Sequence, residues 1–179
     1  GDLCEAEAAK KEEPRKSELL RIADTCHHIA YHGARDFRDA IQAFWFYWII
    51  AANGANPAGR FDQYMYPYYK KDLEEGKITR EEALELIECL RLKIMQFNFV
   101  NGGKMQRDKW AGMARWNNFV ICGCDPETGK DATNEISYLV LQSAYDIRTP
   151  HFTITVRVNE ETPQDLMLLA MKEIGRAHV

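Results

Sequence analysis

The sequence predicts a helix-rich α/β fold, and three observations predict it. Most apolar residues recur at helical spacing between recognisable start and stop signals. Two short segments, residues 119–122 and 151–158, read instead as strands. One helix, FRDAIQAFWFYWIIAA at 37–52, is apolar on nearly every side after Gln42. A helix apolar all round is buried all round. It therefore expects more protein around it than 179 residues supply.

The elements follow in order. Residues 5–16 are charged and Ala-rich, a solvated helix, and Pro14 sits where a new helix begins. Leu19, Leu20, Ile22, Ala23 and Cys26 form a helical stripe that Gly33 breaks. Asp36 is a good N-cap for the apolar helix. Residues 53–60 (NGANPAGR) read as a turn, and 61–75 as a helix stopped by Gly76. Thr79 and Glu82 form a T-x-x-E capping box for a helix over 80–97. Residues 98–114 show scattered glycines and no period, which predicts an irregular loop. The strand at 119–122 leads into a turn at 125–130, and Asp131 is expected to cap a helix over 132–144. In the last strand Phe152, Ile154 and Val156 share one face, and Thr153, Thr155 and Arg157 the other. Thr162-Pro163 opens the final helix, with Pro163 at its first position and Asp165 in its first turn.

Composition excludes several classes. Hydrophobic content is 46%, charged content 28% and the formal charge −4, an ordinary balance that points to neither nucleic acid nor an anionic membrane. The apolar run at 41–52 is too short to span a bilayer. The N-terminus carries no apolar signal-peptide core, and five cysteines at irregular spacing suit a reducing, cytoplasmic setting. Both ends read as cut. Residues 1–13 start within a polar helical stretch that lacks an initiating Met. Residues 174–179 (IGRAHV) back-translate as ATCGGAAGAGCACACGTC, the start of a common sequencing adapter. The expected division is therefore a domain over 1–173 and adapter read-through over 174–179, a natural helix end being the alternative.

Chemistry-bearing motifs are sparse. His27, His28 and His32 cluster, with His28 and His32 four apart, but no third ligand stands at a zinc-site offset. Cys122-Gly-Cys124 is a C-x-C without a second pair, which reads as small buried thiols at a strand end. Neither a phosphate loop nor a hydrolase triad is present. The densest segment is 53–69 (NGANPAGRFDQYMYPYY), with five aromatics around Arg60 and Asp62. It reads as a loop entering a helix while lining the inside of something, with Arg60 and Asp62 as a buried charge pair.

The stretch GRFDQYMYPYYKKDLEEGKITREEALELIECL, followed by GKDATNEISYLVL and TITVRVNEETPQDLML in the same order, resembles the glycyl radical enzymes, the pyruvate formate-lyase-like family. The resemblance implies part of a ten-stranded α/β barrel, incomplete in this chain. It implies a cytoplasmic lyase of anaerobic metabolism that cleaves a small metabolite by radical chemistry (dehydration, C–N lysis or decarboxylation). In that family a backbone glycyl radical is installed by a separate activase using S-adenosylmethionine and an iron–sulfur cluster, and a cysteine in the barrel becomes a thiyl radical. Both radical motifs lie downstream of the third block, so the resemblance implies no catalytic residue here, no bound metal and no turnover by this chain. It implies as partners the substrate and the activase, and a homodimer for the complete enzyme. Matching the family's pocket positions gives Ala55 and Asn56, where dehydratase-type relatives hold His-Ser, and Trp116, where relatives hold Phe or Tyr. Asn118 lies on the same strand path. Asn56 before Pro57 also reads as a plain turn residue, and Trp116 as a core side chain. Arg60, Asp62, Asp131, Asn134 and Glu135 read as structural. The alternative from another class is a non-catalytic helical interaction domain, which would have to leave Phe44, Trp45, Phe46 and Trp48 exposed.

Overall fold

The computed structural model describes residues 1–51, 58–96, 118–148 and 153–174. The predicted loop at 98–114, together with Ala55, Asn56, Trp116 and residues 175–179, lies outside the described residues. The helices are α1 (Asp2–Ala8), α2 (Arg15–Ile29), α3 (Phe37–Ala51), α4 (Phe61–Glu74), α5 (Arg80–Gln96), α6 (Glu135–Ile147) and α7 (Gln164–Glu173). The strands are β1 (Gly59–Arg60), β2 (Asn118–Cys122) and β3 (Thr153–Arg157). They form one parallel sheet in the order β1-β2-β3, with Arg60 beside Val120 and Cys122 beside Arg157. Parallel neighbours need a crossover between them. The chain supplies α4 and α5 between β1 and β2, and α6 between β2 and β3.

Local signals set most boundaries. Asp36 Oδ1 accepts from Asp39 N at 2.8 Å at the start of α3. Thr79 and Glu82 close the expected capping box, with Thr79 N on Glu82 Oε2 at 2.8 Å and Glu82 N on Thr79 Oγ1 at 3.2 Å. Gly76, at φ +68, ends the turn after α4 in a conformation that costs other residues a Cβ clash.

Other expectations are corrected. The helix expected over 5–16 stops at Ala8, and α2 begins at Arg15. Pro14 has no N–H to continue a preceding helix and disfavours helical geometry at Glu13. Asp131 does not cap α6: Asn134 does, its Oδ1 accepting from Ile136 N at 3.0 Å while its own N–H reaches Ser137 Oγ at 3.1 Å. Asp131 is instead held extended by a bridge to Cys124. Pro163 stands at the N-cap of α7, one residue before the helix. The expected turn at 53–60 ends in β1, two residues that are a strand only because β2 lies beside them.

The core lies between the helices and one face of the sheet. Phe119 and Ile121 of β2 are fully buried there. Phe61 meets Phe119 edge-on at 4.7 Å and Phe44 edge-on at 5.4 Å, geometries that aromatic quadrupoles favour. Phe44 and Trp48 are thus buried within this chain, contrary to the expectation that they need outside protein. The uncovered part of α3 is Phe46, Tyr47 and Ile50, which share one stripe at i, i+1 and i+4.

Candidate functional site

The other face of the sheet has no layer over it among the described residues. Side chains alternate across a strand, and the register fixes which ones share this face. Asn118 and Val120 of β2 are half-buried, and Thr153, Thr155 and Arg157 of β3 are exposed. Thr155 Oγ1 donates to Asn118 Oδ1 at 3.0 Å, a polar rung across the two strands. A parallel sheet is ordinarily covered on both faces, with apolar residues on each. Here, among the described residues, one face is apolar and covered, and the other is open and polar apart from Val120.

The C-terminal end of this face is built with care. At Cys122 the backbone turns left-handed, φ 63, and Gly123 follows at φ 90. Arg60 and Asp62 flank this kink. Arg60 Nη2 donates to the Cys122 carbonyl at 3.0 Å and Nη1 to the Cys124 carbonyl at 3.1 Å. Asp62, fully buried, accepts from Cys122 N and from Ser137 Oγ, both at 2.6 Å. The expected Arg60–Asp62 pair is therefore replaced by two separate clamps. Two neutral donors thus stand where a cation was expected, both on Asp62 Oδ2. Burial pushes the Asp62 carboxyl above its usual range, opposed by the Cys122 N–H and the Ser137 hydroxyl. Gln63 Nε2 donates to the Ala132 carbonyl at 2.8 Å and ties α4 to the segment before α6.

A second knot lies beside the first. Asp131 accepts from Thr133 N at 2.9 Å, Asn159 Nδ2 at 2.9 Å and Thr162 Oγ1 at 3.1 Å. Burial would raise its carboxyl, but these donors outweigh burial and hold it below the usual aspartate range. Asp125 Oδ1 closes its own turn, accepting from Glu127 N at 2.9 Å and Thr128 N at 2.8 Å. Both carboxylates are committed to positioning loops.

The thiols offer little chemistry. Burial pushes the Cys122 thiol up, which disfavours the reactive thiolate. Cys124 is exposed and its sulfur accepts from Asn159 Nδ2 at 3.4 Å. Of the histidines, His28 Nε2 is 3.0 Å from the Gly33 carbonyl, and the His28 and His32 rings lie 5.0 Å apart. His27 Nε2 lies 3.3 and 3.4 Å from carboxylate oxygens of Asp2 and Glu5, all three residues exposed.

Of the four expected pocket residues, only Asn118 falls within the described residues, and it lies on the open face. Arg157 and Thr155 join it there. Sequence reasoning placed them on one strand face without assigning that face a role. The available signal was a polar stripe on a strand whose neighbours are parallel.

The pyruvate formate lyase-like family model matches residues 2–177. The chain belongs to the pyruvate formate lyase-like family. It is 36% identical over 166 residues to the indoleacetate decarboxylase of Tractidigestivibacter scatoligenes, covering 88% of this chain and 18% of that protein. It is 35% identical over 167 residues to the isethionate sulfite-lyase of Nitratidesulfovibrio vulgaris, covering 88% of this chain and 20% of that one. Among solved structures, one describing 1,2-propanediol dehydration in Roseburia inulinivorans superposes with TM-score 0.86 at 33% identity, over 96% of this chain and 22% of that one. A glycyl radical enzyme from Archaeoglobus fulgidus gives TM-score 0.83 at 31% identity, over 97% and 23%. The chain spans about a fifth of the length of these relatives. Its three parallel strands and their helices are thus an incomplete part of the α/β barrel of the glycyl radical enzymes. No helix among the described residues is long and apolar enough to cross a membrane.

Proposed function

We propose that this chain is one wall of the substrate chamber of a glycyl radical lyase acting on a small metabolite. The observation that carries this reading is the polar, uncovered face of a parallel sheet in a chain of this family. In a closed barrel that face turns inward, where polar side chains find a ligand rather than solvent. Relatives named as decarboxylase and sulfite-lyase make C–C and C–S bonds candidate targets beside dehydration and C–N lysis. Asn118 lines the chamber in this reading, and Ala55, Asn56 and Trp116 are assigned to substrate binding by their match to the family's pocket positions. Ala55 and Asn56 in place of a His-Ser pair weigh against a glycerol-like substrate.

The radical glycine and the thiyl cysteine belong to sequence beyond this chain, and the chain alone does not turn over. When present, the radical supplies hydrogen abstraction. The residues here orient the substrate, hold the loops after β2 and exclude water. A radical activase using S-adenosylmethionine is the required partner, and the complete enzyme is a cytoplasmic homodimer.

Sequencing the genomic DNA around this segment tests the proposal, followed by anaerobic expression of the complete protein with its activase. The expected result is a reading frame that runs past Glu173 into Gly-Cys and Arg-Val-x-Gly-Tyr motifs, and a glycyl radical seen by electron paramagnetic resonance. A stop codon near residue 179 in intact DNA would overturn it. The same read decides whether residues 174–179 are adapter sequence.

A further inference from the structure

We draw no further inference here: the strongest candidate, the side-chain cluster of Asp2, Glu5 and His27 where α1 meets α2, is an exposed group of two carboxylates and one imidazole, and no second observation among the described residues points to a ligand there.

Discussion

The two faces of the sheet differ in what holds them. The helix-covered face is fixed by shape: Phe119 and Ile121 are fully buried, and Phe119 is wedged edge-on against Phe61. The open face is held by strand pairing beneath and by clamps at one end, while its side chains, polar apart from Val120, are exposed or half-buried. Packing therefore stabilises one side of the strands, and the proposed substrate surface is the other. Successive residues of a strand point to opposite faces, so both properties are carried by the same ten residues of β2 and β3.

Removing packing on the covered face should have the largest effect. Phe119→Ala is expected to cost about 3–5 kcal/mol, read as a lowered urea midpoint, since a buried ring leaves a cavity. A loss under about 1 kcal/mol would break the contrast between the faces. Next comes the clamp at the strand end. Asp62→Ala strands the Cys122 N–H and the Ser137 hydroxyl, at about 2 kcal/mol by the same measurement.

The carboxyls sharpen the comparison through pH. Because the folded state raises the Asp62 carboxyl above the ordinary 3.8, its contribution is most favourable at low pH and declines as pH rises through the raised folded value. Asp131 is lowered, so its contribution is present above 3.8 and is lost as pH falls through the depressed value. Stability against pH should thus lose its decline above 3.8 in Asp62→Asn and its loss below 3.8 in Asp131→Asn. A profile identical to wild type in Asp62→Asn would show that burial does not govern that group.

Smaller effects follow. Asn134→Ala removes the N-cap of α6 and should cost about 1 kcal/mol in a thermal melt. Thr155→Val, on the open face, should change stability by less than about 0.5 kcal/mol despite breaking the rung to Asn118. A large loss there would mean that the open face is structural after all.

Legibility in the sequence followed the range of the interaction. The Thr79–Glu82 capping box, the Gly76 stop and the alternation of β3 are signals spanning a few residues, and each appears as expected. The cap of α6 lies three residues after the expected Asp131, because Asp131 and Asn134 are equally able caps in isolation. The bridge to Cys124 and the donors from Asn159 and Thr162 draw Asp131 away. β1 carries no pattern of its own. Arg60 and Asp62, two apart, invited pairing, yet each is bonded to the chain about sixty residues later.

By itself, then, the sequence determined most of the helices, the two longer strands and the family, because caps, periodicity and ordered motif blocks are local or linear properties. Only the tertiary structure decided that Phe44 and Trp48 are covered, that Arg60 and Asp62 clamp one kink, and that Asn118, Thr155 and Arg157 share an open polar face. Each of these depends on which distant segment lies alongside. That is set by burying the most apolar surface while leaving few buried polar groups without a partner, a condition on the whole chain rather than on any stretch of it.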